Sequence, residues 1–152
     1  MSQGAGGDGP LARWMMLLLR LAIGGVFVYA SVDKCLHPDR FADIVADYQL
    51  LPPAVVNVFS VVLPWVELLT GVLLFLGAWI EAATLVAGGM TVMFIGAVAA
   101  SVVRGTEHFH CGCFSTALGD PTDGTGLLLR DIALLLACAA LWLLCRRSES
   151  RA

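Results

Sequence analysis

What this chain lacks most is charge. Asp, Glu, Lys and Arg supply only 14% of its 152 residues, 9 of them basic and 12 acidic. So few polar groups cannot clothe a water-soluble domain of this size. No run of Lys and Arg is long enough to neutralise a phosphate backbone, and with a formal net charge of -3 nucleic acid is excluded as a partner. The one basic doublet, Arg146-Arg147, follows the last apolar run, where it reads as a cytoplasmic anchor. Phosphate-cradling loops, flavin motifs and haem-attachment motifs are missing as well, so no covalent cofactor is expected and any prosthetic group would bind without a local fingerprint.

What is present is apolar: 59% of the residues are hydrophobic and the mean hydropathy is +0.84. The solvent for such a chain is the lipid bilayer. Residues 1–10 are Gly-rich and polar and read as a disordered tail, 11–147 as one membrane domain, and 148–152 as a second short tail. Within the domain, four runs are long enough to span at about 1.5 Å per helical residue. They are Leu11 to Ser31, Ala54 to Ile80, Ala82 to Val103 and Leu127 to Cys145. The first is too long for a secretory h-region and is kept as an uncleaved span. An all-α, four-helix transmembrane bundle follows, with both termini on one side.

The connections are unequal. Trp79 to Ala82 is a tight turn, whereas Val32 to Pro53 and Arg104 to Gly126 are long, polar and, with four spans, on the same side. In the first of these, Phe41, Ile44, Val45 and Tyr48 recur at helical spacing opposite Asp39, Arg40, Asp43 and Asp47. That pattern predicts a short amphipathic helix at the interface, opened by Pro38 and ended by Pro52-Pro53. Basic residues near the span ends divide four against four, so charge does not orient the chain.

The second long connection carries the chemistry. Cys111-Gly112-Cys113 follows His108 and His110. Thiolates are the nucleophiles of disulfide exchange, and nearby imidazolium groups help to populate them. A glycine between two cysteines allows the unusual backbone angles of a very small disulfide ring, whose strain would make the pair oxidising. A pair of this kind is useful on the extracytoplasmic face, where disulfides persist, which places the termini in the cytoplasm. The plainer alternatives are a static disulfide and a solvated histidine loop. A metal site is also conceivable from four donors, but a one-residue gap between thiolates is shorter than usual for zinc, so none is assigned. Cys35, with the same face, could act as a resolving thiol if it comes within roughly 7 Å of the pair. Cys138 and Cys145 read as packing residues.

Two charges lie deep in the spans, Arg20 and Glu67, and are expected to pair with each other or to serve a reacting group, since ionisable residues in a bilayer seek partners. Pro64 would kink the second helix just before Glu67. Lys34, Arg104 and Arg130 are placed at the redox-side interface, where they could favour a thiolate or a reduced quinone, with snorkelling to headgroups as the simpler role. Trp65 and Trp14 could contact a quinone ring or serve as interfacial aromatics. Glu67, Arg130, Lys34, Trp65 and Arg104 are thus the candidate quinone-binding residues. Ala83 with Ala87, and Ala97 with Ser101, offer small faces for close helix approach.

An ordered series of motifs adds to this reading: Lys34, Pro38 and Phe41-Ala42, then Tyr48-Gln49-Leu50-Leu51-Pro52, Leu63-Pro64-Trp65-Val66-Glu67, Cys111-Gly112-Cys113-Phe114 and Arg130-Asp131. Over about residues 13 to 145 the chain resembles the MauE branch of the DoxX-like integral membrane proteins. One departure is Ser115, where a glycine commonly follows in that family. The resemblance implies a four-helix bundle in a bacterial inner membrane. It implies a role in making or maintaining disulfides in exported proteins, beside a thioredoxin-like partner, in methylamine dehydrogenase maturation. A membrane quinone is the natural electron sink by analogy with other small helical bundles.

Overall fold

In the computed structural model, the described residues are 10–47, 49, 52–104 and 124–150. They form five helices: α1 (Pro10–Leu36), α2 (Pro38–Asp47), α3 (Pro53–Leu76), α4 (Ile80–Arg104) and α5 (Gly124–Glu149). All but α2 are long and apolar enough to cross a membrane. Together they make the chain an integral, multi-pass membrane protein of the all-α class expected from its hydropathy. Met1 to Gly9, Tyr48, His108, His110, Cys111 and Cys113 lie outside the described residues.

Helix ends explain where the spans differ from expectation. The first helix continues past Ser31 to Leu36, because nothing in Val32 to Leu36 disfavours helix before Pro38. Lys34 and Cys35 therefore belong to its last turns rather than to a loop. The third helix stops at Leu76 instead of Ile80. Gly77 takes φ 77°, and its N–H and that of Ala78 donate to the Leu73 carbonyl at 2.9 and 3.0 Å, a left-handed cap that glycine adopts without strain. Pro52 and Pro53 open α3 rather than close α2. The third helix runs on through Pro64, whose missing N–H leaves the Ser60 carbonyl without its usual partner.

The bundle is up-and-down. The first helix packs on α3 and α5, and α4 packs on α3 and α5, so each spanning helix touches two others around a ring. At the α1/α3 crossing, Gly24 faces Gly71. A Cβ on Gly71 would lie 2.9 Å from the Val28 backbone nitrogen and 3.0 Å from the Gly24 carbonyl oxygen. Such backbone contact is available only to glycine, and lipid-embedded helices use it because apolar side chains gain little by leaving lipid. On α4, Ala83 and Ala87 are buried as their small size suggests. Thr70, Thr84 and Thr91 donate back to carbonyls one turn earlier, so these buried hydroxyl donors are satisfied without water.

The second helix lies against α3 and α1 with Phe41, Ile44 and Val45 buried, as its amphipathic pattern requires. It sits at the end of the bundle where α1 and α4 finish and α3 and α5 begin. The α3–α4 turn occupies the opposite end, with Trp79 81% exposed and a loose Arg146–Glu81 pair at 3.8 Å. The Arg20 guanidinium also lies there, against Gly77, where its charge faces the carbonyl end of α3.

Candidate functional site

The charged residues inside the bundle meet at one level. Lys34 Nζ donates to both Glu67 carboxylate oxygens, at 2.7 and 2.6 Å. Neither side chain reaches solvent, with exposures of 0% and 3%. Glu67 thus pairs with Lys34 and not with Arg20, whose α1 position is fourteen residues earlier, about 21 Å along the helix. Nor does Lys34 snorkel. The second helix folds over the end of α1, and the ammonium is enclosed by the Phe41 and Phe94 rings at 5.2 and 5.1 Å from their centroids. Cations sit favourably over aromatic faces, most of all when desolvated.

Depth follows from helix register. Glu67 is fourteen residues into α3 and Phe94 ten residues from the end of α4, about 21 and 15 Å along their axes, deep within a hydrocarbon layer of about 30 Å. A charge at that depth requires a partner, and the two short hydrogen bonds supply one.

A second acidic residue joins this layer from α5. Asp131 stands near the start of the fourth apolar run, a position that by sequence alone reads as interfacial, yet it is 2% exposed, seven residues inside α5. Its Oδ1 accepts from Arg130 Nε and Nη2 at 3.3 and 3.1 Å, while its Oδ2 is buried and has no partner among the described residues. Arg130 keeps 34% of its side chain exposed. Glu67, Asp131 and Thr91 border a small cavity of about 20 Å³, lined otherwise by Val26, Phe27, Ala30, Phe94 and Leu134. That volume takes one water-sized molecule and is too small for a quinone ring.

The remaining predicted residues are placed differently. Trp65 is 63% exposed, and Trp14 equally so. With Glu67 turned inward, a residue two positions earlier is about 200° around the helix and faces out. Arg104 is exposed at the end of α4. Cys35 is a partly exposed free thiol next to Lys34, close enough to feel the charges of both Lys34 and Glu67. Cys138 is 3% exposed in the core, and Cys145 packs against it. Among the described residues no group of His, Cys, Asp and Glu is arranged to hold a metal ion. The residues missed by sequence reasoning are Asp131, Thr91 and Phe94 in the charged layer, and Gly24 with Gly71 at the helix crossing. An acidic residue or a glycine within an otherwise apolar span was the available signal.

The chain matches the model of the family described as methylamine utilisation protein MauE over residues 12–144. It is 30% identical over 132 residues to the methylamine utilization protein MauE of Paracoccus denitrificans, covering 87% of this chain and 69% of that protein. The corresponding protein of Methylophilus methylotrophus is 33% identical over 127 residues, with 84% and 65% covered. That of Methylorubrum extorquens is 35% identical over 116 residues, with 76% and 62% covered. The matched stretch thus spans about two thirds of each relative. No solved structure is significantly similar to the chain. Spanning all four transmembrane helices, the family match and these relatives make this chain a member of the MauE family.

Proposed function

We propose that this protein exchanges disulfides through Cys111 and Cys113 with a thioredoxin-like or exported thiol protein on the extracytoplasmic side of a bacterial inner membrane. The observation that carries the reading is positional. The connection bearing Cys111 and Cys113 leaves α4 at Arg104 and enters α5 at Gly124, both at the end of the bundle where Cys35 sits. The relatives' names connect them to methylamine utilisation, and the same setting is the natural one here.

In the exchange step, a partner thiolate attacks one sulfur of the Cys111–Cys113 disulfide, forming a mixed disulfide and releasing the other sulfur as a thiolate. The partner's second thiolate then displaces the bound cysteine. The partner leaves oxidised, and the pair is left reduced by two electrons. Its reoxidation requires an acceptor, for which a membrane quinone is the proposed class; the small cavity beside Glu67 does not house it. Cys35, in the last turn of α1, is the proposed third, resolving thiol.

The test is a mass-shift alkylation assay on membranes under oxidising and reducing conditions, with and without added quinone. The expected result is a pair that is oxidised at rest, reduced by a dithiol and reoxidised faster with quinone. Replacing Cys113 by Ser removes the disulfide that the partner attacks, so the partner should stay reduced. Cys111 and Cys113 remaining reduced under every condition would overturn the proposal.

A further inference from the structure

The buried Asp131 oxygen and the cavity beside it belong together. A carboxylate oxygen without a donor inside a bilayer bears its full desolvation penalty. Four helices aim polar groups at the same place. The first contributes Lys34, α3 contributes Glu67, α4 contributes Thr91, and α5 contributes Asp131 with Arg130 at its side. Lys34 is close enough to Asp131 to act on it electrostatically. Neither its ammonium, which bonds both Glu67 oxygens, nor the Arg130 guanidinium, held on Oδ1, serves as donor to Oδ2. The cavity, at about 20 Å³, exceeds the roughly 10–15 Å³ that one water requires, and it is bordered by three polar residues.

We infer that this cavity is a single-water site, in which the water donates one hydrogen to Asp131 Oδ2 and the other to a Glu67 carboxylate oxygen. Thr91 is its third neighbour. Its hydroxyl hydrogen is already given to the Ala87 carbonyl at 2.9 Å, so its oxygen can only accept, and it shares the water's second hydrogen with Glu67. The bound water turns two separate ion pairs, Lys34–Glu67 and Arg130–Asp131, into one network crossing the bundle from α1 to α5. Such a network can carry a proton. A proton held by one carboxylate passes to the water as the water gives one of its own hydrogens to the other carboxylate, and no electron moves.

The network begins beside Cys35 and ends at the partly exposed Arg130. Its use, though not its existence, rests on the thiol chemistry proposed above. Reoxidation of a dithiol by a quinone takes two protons from sulfur and delivers two to the quinol oxygens, and the two carboxylates with their water form a relay on which such protons can pass.

The experiment is infrared spectroscopy of the full chain in lipid nanodiscs, in ordinary water and in water enriched in oxygen-18. The expected signature is a narrow O–H stretching band that shifts with the oxygen isotope, the mark of one trapped water. Thr91→Val keeps the side-chain shape while removing one polar neighbour, and it should shift or abolish the band. Asp131→Leu should abolish it. Circular dichroism and a melting curve on each variant establish that the bundle is intact, and Thr91→Val serves if Asp131→Leu does not fold. Absence of an isotope-sensitive band in the parent protein, or a band unchanged in Thr91→Val, would overturn the inference. The readout needs neither Cys111 nor Cys113, so a negative alkylation result would sink the exchange reaction and leave the water site standing, and the converse also holds.

Discussion

Replacing Lys34 by Met gives the most direct test of how the bundle is held together. Met fills much of the volume of the lysine stem and packs well against Phe41 and Phe94, so the change removes the charge and little else. Glu67 is then stranded at 2% exposure with no cation on it. For buried pairs in proteins, losing one partner costs about 3–5 kcal/mol, because the other charge remains desolvated. A lower bound comes from hydrogen bonds between membrane helices, which average about 0.6 kcal/mol since separated helices also find partners. The higher figure should apply here. Both Glu67 oxygens are engaged at 2.7 Å or less, and in the separated state α3 has no other cation at that depth to offer. The assay is reversible unfolding in mixed detergent micelles, run as a double-mutant cycle with Glu67→Leu. The Lys34→Met/Glu67→Leu chain removes both charges and should recover most of the loss, or exceed the parent by about 1–4 kcal/mol. A single-variant cost below about 1 kcal/mol, or a double variant as unstable as the two losses added, would refute the idea that pairing and desolvation dominate at this site.

Other predictions test packing and placement. Gly71→Ala should destabilise the α1/α3 pair by about 1–3 kcal/mol, read by the same unfolding assay, because its Cβ meets backbone rather than a side chain that can rotate away. Gly25→Ala, where an added Cβ meets nothing within 4 Å, should be neutral or stabilising by up to about 1 kcal/mol. Phe41→Ala should cost about 3–5 kcal/mol and open Lys34 to water, measurable as faster hydrogen exchange at the end of α1. Trp65→Phe changes a side chain on the outside of the bundle and should move stability by no more than about 0.5 kcal/mol, with disulfide exchange unaltered.

The spans were legible in the sequence because lipid demands long apolar runs, and the α2 face because Phe41, Ile44 and Val45 repeat at helical spacing. The partner of Glu67 was not legible. Arg20 and Lys34 are both basic residues of α1, and only the antiparallel register with α3 separates them by end: Gly77 lies against Arg20, and Glu67 against Lys34. Burial of Lys34 was hidden for a related reason. Two residues from a helix end it looks interfacial, until α2 folds back across it and α3 extends beyond it. Asp131 looked interfacial by the same logic, and its inward direction depended on which face of α5 meets α1 and α4.

The same register supplies a reason for the lysine to be buried at all. In lipid, sliding one apolar helix past another costs little, so side-chain burial alone does not fix how α1 and α3 align. Two features do. Gly24 and Gly71 let the backbones touch at one level, and Lys34 and Glu67 engage ten residues further along α1, about 15 Å away. A slip of one turn, about 5.4 Å, would break both at once: it would set a Cβ-bearing residue against Gly71 and leave two charges unpaired in the bilayer. A buried ion pair is weak evidence for stability but can specify one arrangement against its neighbours. Here that arrangement brings Cys35, at the end of α1, to the face from which the connection carrying Cys111 and Cys113 departs. If register is the role of the pair, the charge-free double variant should remain folded and stable while losing a single helix alignment, visible as cysteine crosslinks between α1 and α3 that spread over more than one turn. Crosslinks confined to the parent positions would show that the glycine contact fixes the alignment alone.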